Sequence, residues 1–234
     1  MPEGLVYHNV GTFFVQKGFT TIIPDYRRAS SSTGGEDAIY PAGAEDISLV
    51  LYWADQMEPD AEKDLYIMGQ SAGGMHLASY LLAPEFKQHR ERLLSGTHSI
   101  IWQGAIFLSV PFHFPTSILG SWDQLVEYYG TENEAQEHCP FGLLKKVAEA
   151  RLKPEGISFL TPKVMIITAE HDPVDCVLLP GRDSIQLWNQ TFDSAKTLHL
   201  LGHNHFTTTL ALMSGDSAGE EWTGDLLQWL RGLH

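Results

Sequence analysis

The stretch Leu65-Tyr66-Ile67-Met68-Gly69-Gln70-Ser71-Ala72-Gly73-Gly74-Met75-His76 decides how the rest of the chain is read. Leu65 to Met68 is a short apolar strand, Gly69 to Gly73 is a turn of small residues around a serine, and Ala72 to Ala83 has a helical pattern. Gly-x-Ser-x-Gly between a strand and a helix is the pattern of a nucleophile elbow. Side chains two residues either side of the serine are expected to collide in so sharp a turn, so small neighbours are required there. The hydroxyl then projects from the sheet edge, and the N-terminus of the following helix favours negative charge near it.

The same five-residue pattern recurs at Gly215-Asp216-Ser217-Ala218-Gly219. Thr207–Met213 before it reads as a helix leading into a loop, not as a strand. Only His234 lies downstream as a base, so Ser217 reads as a loop serine.

Working outward, Leu5–Lys17 reads as an amphipathic helix carrying Val6, Val10, Phe13 and Phe14, stopped by Gly18. Phe19–Ile23 is a β-branched run ended by Pro24 and reads as a buried strand. Ser30–Gly35 is a Ser/Gly loop, and Gly43–Met57 is helical, with Glu45 and Asp46 in its first turn. Ile101–Leu108, Lys163–Thr168 and Lys196–Leu200 add three strands, the last flanked by helical patterns at Arg182–Phe192 and Glu220–Leu230. Alternating strands and helices predict a mostly parallel sheet covered by helices on both faces, in a single domain spanning 1–234. Residues 111–160 interrupt the rhythm with Phe112, Phe114, Trp122, Tyr128, Tyr129 and Phe141. That insertion is expected to form a cap over a pocket, with Phe112, Phe114 and Trp122 on its wall; a peripheral packing layer is the alternative.

Composition sets the outer limits. The chain has 234 residues, 43% hydrophobic and 19% charged, which fits a globular domain and not a disordered one. Lys and Arg number 15 against 29 Asp and Glu, a net charge of −14 that argues against nucleic acid or an anionic membrane as partner. No apolar run approaches the ~20 residues of a membrane span. Met1-Pro2-Glu3-Gly4 opens no basic-then-apolar leader, and Cys139 and Cys176 form no disulfide framework, so a cytoplasmic protein is expected.

The order of the remaining titratable residues points to chemistry. After Ser71, the strand Lys163–Thr168 runs into Ala169-Glu170-His171-Asp172-Pro173, and the last strand gives way to Gly202-His203-Asn204-His205-Phe206. Serine, then acid, then histidine, each past a strand end, is the order in which a base can take the serine proton while a carboxylate fixes its tautomer. His199, His203 and His205 have no carboxylate or cysteine at zinc-ligand spacing, so no metal is expected. His138-Cys139 reads as a packed or free thiol, and His76 as a helix residue behind the elbow.

Taken together, Tyr7–Gly11, Ile23-Pro24-Asp25-Tyr26-Arg27, Tyr40-Pro41 with Glu45-Asp46, Gly69–Gly74, Glu170–Pro173 and Gly202–Phe206 resemble an α/β-hydrolase. The similarity is to the esterase/lipase group that includes hormone-sensitive-lipase-like esterases and kynurenine-formamidase-like proteins, in a fungal branch. The resemblance implies Ser71 as nucleophile, Asp172 as acid, His205 as base and the Ala72 amide as an oxyanion donor. His203 and Asp175 stand as alternatives to the last two side chains. It implies hydrolysis of a small-molecule ester or aryl formamide without a cofactor. In that family a His-Gly-Gly loop precedes the helix that begins here near Leu5 and supplies further oxyanion donors. The sequence carries neither that loop nor the strands before it. A central gap in the sheet is therefore expected, with self-association or a loss of hydrolysis as consequences. A protein of this fold that binds an apolar ligand, or catalyses a lyase- or cyclase-type step, is the second reading, and an inactive, shortened product is the third.

Overall fold

The computed structural model describes residues 7–29, 34–57, 62–96, 99–115, 123–153 and 158–233. In chain order these form α1 (His8–Gln16), α2 (Ala42–Gln56), β1 (Lys63–Gln70), α3 (Ala72–Leu82), α4 (Lys87–Leu94) and β2 (Ile100–Leu108). The inserted segment contributes α5 (Asp123–Tyr129), α6 (Glu132–His138) and α7 (Pro140–Arg151). Then come β3 (Lys163–His171), α8 (Leu179–Thr191), β4 (Lys196–Asn204), α9 (Thr207–Leu210), α10 (Ser217–Glu220) and α11 (Thr223–Arg231).

The four strands pair in parallel in the order β1-β2-β3-β4. Parallel sheets are buried on both faces, so their strands read as continuous apolar runs. Period-2 alternation then sorts each run between two cores. Ala105, Phe107, Val164 and Ile166 face a core built with α2, α3, α4, α7 and α8. Ile106, Leu108, Met165 and Ile167 face the other, closed by Val10 and Phe13 of α1 and Leu226, Leu227 and Leu230 of α11. No helix among the described residues is long and apolar enough to cross a membrane.

One expected strand does not form. Phe19–Ile23 makes no ladder among the described residues, and Ile22 and Ile23 are 40% and 47% exposed. Phe19 packs with its ring 6.0 Å from Phe14 and 6.2 Å from Tyr66 of β1, and the Ile23 side chain lies against Gly11 of α1. A β-branched run supplies local preference, but a strand also needs a neighbour to receive its backbone hydrogen bonds, and the pairing of the sheet ends at β1.

The inserted segment folds back on the main body. Phe112, Phe114, Tyr128, Tyr129, Leu143 and Leu144 are buried in the same core as α3 and Trp188 of α8. Trp122, Leu5, Val6, His234 and most of the Ser30–Gly35 loop lie outside the described residues.

Candidate active site

All four strands run the same way, so their C-terminal ends share one edge of the sheet, where open α/β sheets bind ligands. Ser71 follows β1, Ser109 follows β2, Asp172 follows β3 and His205 follows β4.

Ser71 sits at φ 50°, ψ −122°, outside the regions comfortable for a residue with a Cβ. Two things hold it there. Its N–H donates to the Leu108 carbonyl at 3.1 Å, and the flanking glycines let the backbone close up. A Cβ on Gly69 would stand 2.6 Å from the Gly73 carbonyl oxygen, and one on Gly74 would overlap the Val110 side chain. Packing therefore demands glycine at 69 and 74, whereas a Cβ on Gly73, expected to collide, would meet open space. Ala72 begins α3, and its N–H is among the first-turn amides that have no intrahelical acceptor.

The Ser71 Oγ lies 2.9 Å from His205 Nε2, and His205 Nδ1 lies 2.8 Å from Asp172 Oδ1. The carboxylate can only accept, so Nδ1 carries the proton and Nε2 is left to accept from the serine hydroxyl. The Asp172 side chain is fully buried, and that of His205 is 19% exposed. The second carboxylate oxygen accepts from the Ser109 hydroxyl at 2.8 Å and the Ala169 N–H at 2.7 Å. Ser109 is itself buried, with φ 51° and its N–H on the Ile167 carbonyl. The histidine loop is tied down from behind by Asn9 of α1, whose side-chain amide donates to the Thr209 and Leu212 carbonyls at 2.8 and 3.0 Å.

The other candidates lie elsewhere. His203 is in β4 with its Nδ1 3.4 Å from the Thr207 hydroxyl, and His199 faces Thr168 at 3.0 Å. Asp175 belongs to the π-helical turn Val174–Leu178 beyond Asp172. Ser217 is exposed at the start of α10, whose cap is the Asp216 carboxylate accepting from Ala218 N–H. Cys139 is a buried thiol at the N-terminus of α7, and burial pushes its pKa up to about 11, so it stays protonated. Among the described residues no three His, Cys, Asp or Glu side chains are grouped to hold a metal ion.

A cavity of about 450 Å³ lies past the ends of β2 and β3, lined by His113, Pro115, Phe141, Asp175, Leu179, Pro180 and Asp183, and none of Ser71, Asp172 and His205 is on its wall. That volume falls in the range of small-molecule sites. Phe112 and Phe114, expected on a pocket wall, are 5% and 0% exposed, pack in the core, and do not line this cavity. Its wall comes from His113 and Pro115, from Asp175 in the turn after β3, and from the first turns of α7 and α8. Ser109 and Asn9 were not legible as site residues. The one available hint to Ser109 was its place directly after the apolar run Ile101–Leu108.

No protein-family model matches the chain, and no curated protein matches it in sequence. Its backbone does match solved structures. The carboxylesterase Cest-2923 from Lactobacillus plantarum WCFS1 superposes with a TM-score of 0.61 at 16% identity, over 99% of this chain and 81% of that one. The thermostable carboxylesterase EstE1, from a metagenomic library, gives 0.56 at 17% identity over 89% and 67%. Vibralactone cyclase gives 0.51 at 16% identity over 89% and 60%. With its parallel sheet, the serine turn after β1 and this set of structural neighbours, the chain has the α/β-hydrolase fold.

Proposed function

We propose that the protein is a carboxylesterase-type serine hydrolase in which Ser71, His205 and Asp172 form the catalytic triad. The observation that carries this reading is the unbroken relay from the Ser71 hydroxyl through His205 to a fully buried, doubly supported carboxylate. A surface serine and histidine could meet by chance; a buried carboxylate aimed at the far ring nitrogen fixes both tautomer and orientation.

The chemistry follows from those roles. Ser71 Oγ attacks the substrate carbonyl carbon while His205 Nε2 takes its proton. The tetrahedral oxyanion is met by the Ala72 N–H, a donor whose loss typically costs 10²–10³ in rate. Collapse breaks the bond to the leaving oxygen or nitrogen, which receives the proton from His205. Water then attacks the acyl-serine, gives its proton to His205, and releases the acid as Ser71 regains its hydrogen. The substrates proposed are small carboxylic esters or aryl formamides, and the reaction needs no cofactor.

The test is a panel of p-nitrophenyl esters and an aryl formamide, assayed with purified protein and with Ser71→Ala. Turnover of any member that disappears in Ser71→Ala supports the proposal. A folded protein inert on the whole panel would favour the second reading, a non-hydrolytic role on this fold. Its motivation is that one structural neighbour at this level of similarity is named as a cyclase.

A further inference from the structure

The elbow pattern constrains the glycines around Ser71 but leaves the residue just before it open, and here that residue is Gln70. It ends β1, and by alternation with Tyr66 and Met68 it lies on the face covered by α1 and α11. Its side-chain Nε2 donates to the His205 backbone carbonyl at 2.9 Å and to the Thr208 hydroxyl at 3.3 Å. On the other side, Gln70 Oε1 accepts from the Thr209 hydroxyl at 3.2 Å. A carbonyl cannot donate, so the contact with His205 O settles which end of the amide faces it. Thr208 and Thr209 are 0% and 4% exposed, so all three partners of the amide belong to a packed turn.

We infer that Gln70 is a positioning residue. It clasps the backbone of the histidine loop from the residue next to the nucleophile, and so fixes the span between Ser71 Oγ and His205 Nε2. The inference rests on the hydrolase reading above. Its physical basis is direct: β1 and the turn after β4 stand at opposite ends of the strand order, with β2 and β3 between them. Among the described residues Asn9 ties the loop at Thr209 and Leu212, beyond His205, and Asp172 holds the His205 ring, but Gln70 is the side chain from β1 that holds the His205 backbone. Without the Gln70 amide, the His205 carbonyl has the 3.3 Å contact to the Thr208 hydroxyl as its remaining side-chain partner. A displacement of about 1 Å at a catalytic group can cost on the order of 100-fold in rate.

The experiment is the rate of labelling by a fluorophosphonate probe, followed by intact mass. It compares the unaltered protein, Gln70→Ala, Gln70→Glu, His205→Ala and the Gln70→Ala/His205→Ala double variant. Gln70→Glu keeps the shape and the Thr209 contact but, ionised, has no hydrogen to give the His205 carbonyl. It also guards against a misfolded alanine variant. Both single Gln70 variants should label about 10- to 100-fold more slowly. With p-nitrophenyl acetate as substrate, kcat should fall and KM should stay constant. In the His205→Ala background, where there is no imidazole left to position, the Gln70 change should slow labelling no further. Labelling of the single variants at the unaltered rate overturns the inference, as does equal slowing in both backgrounds. Absence of any adduct on the unaltered protein would instead overturn the hydrolase reading, and this inference with it.

Discussion

His76 offers a quantitative test of how the elbow helix is packed. It sits on α3, five residues beyond Ser71, and is 6% exposed. Tyr26 lies against the ring at 4.6 Å between centroids, Tyr128 at 5.4 Å, and Gly43 of α2 packs on it so closely that a Cβ there would overlap the imidazole. The Tyr128 hydroxyl accepts from the Gly43 N–H at 3.2 Å and lies 3.3 Å from His76 Nδ1. That hydroxyl can donate its own hydrogen to a bare Nδ1, so the neutral imidazole fits and the imidazolium does not. Burial accordingly pushes the His76 pKa down from 6.5 to about 4, against a weaker opposing pull from Asp46.

The sign follows from linkage. The folded state holds the His76 proton more weakly than the unfolded chain, so stability is complete above about pH 6.5 and is lost as pH falls toward 4. Full titration of this group is worth roughly 3 kcal/mol, at 1.36 kcal/mol per pH unit, and about 2.5 kcal/mol of it is gone by pH 4.5. The perturbation is His76→Gln, which keeps an acceptor for the Tyr128 hydroxyl and does not titrate. Urea unfolding from about pH 7.5 to pH 4.5, run on both proteins, isolates this histidine because every other group is common to the pair. The unaltered protein should lose about 2.5 kcal/mol more than the variant over that interval, with the denaturant slope unchanged. Parallel stability curves would refute the reasoning, and with it the assignment of His76 as a buried neutral base.

Three further outcomes are expected. Asp172→Asn should fold and bind substrate normally but lose about 10⁴ in kcat, because an amide at that position favours the wrong imidazole tautomer; pre-steady-state and steady-state ester hydrolysis measure it. Ser109→Ala removes a hydrogen bond to a buried carboxylate worth about 1.5–3 kcal/mol. Calorimetry should show Tm lower by roughly 3–12 °C at about 2–4 °C per kcal/mol. Gly74→Ala should be strongly destabilised by overlap with Val110. The Gly74→Ala/Val110→Ala pair should then be more stable in urea than Gly74→Ala alone, although Val110→Ala by itself leaves a cavity.

The parts of the fold legible in the sequence were those whose signal is local. The three strands Leu65–Met68, Ile101–Leu108 and Lys163–Thr168 are apolar on both faces because helices cover both, and that burial writes itself as unbroken runs. The serine turn was legible because Gly69 and Gly74 are demanded by contacts within a few residues or with the next strand end. Phe19–Ile23 misled for the complementary reason: its composition is that of a strand, and whether a ladder exists depends on a neighbour elsewhere in the chain. The aromatic residues of the insertion likewise could not announce whether they line a cavity or fill a core, since Phe112 and Phe141 read alike and pack against one core, yet only Phe141 also lines the 450 Å³ cavity. His203 and His205 could not be separated by pattern because they share a strand parity; β4 ends at Asn204, and the turn beyond it carries His205 to Ser71. Ser109 and Gln70 were silent because each acts across 63 and 135 residues of chain respectively. α4 gave no warning, being mostly charged; its buried Arg90 donates to the Tyr80 and Ala83 carbonyls at the end of α3.

The proposed hydrolysis requires the Ser71 hydroxyl to be an activated nucleophile. Treatment with a fluorophosphonate probe, proteolysis and peptide mass mapping tests it most directly. A single adduct is expected on the peptide containing Ser71, absent in Ser71→Ala, greatly slowed in His205→Ala, and with Ser217 unmodified throughout. A well-folded protein that forms no adduct, or one that carries it elsewhere, would contradict the account.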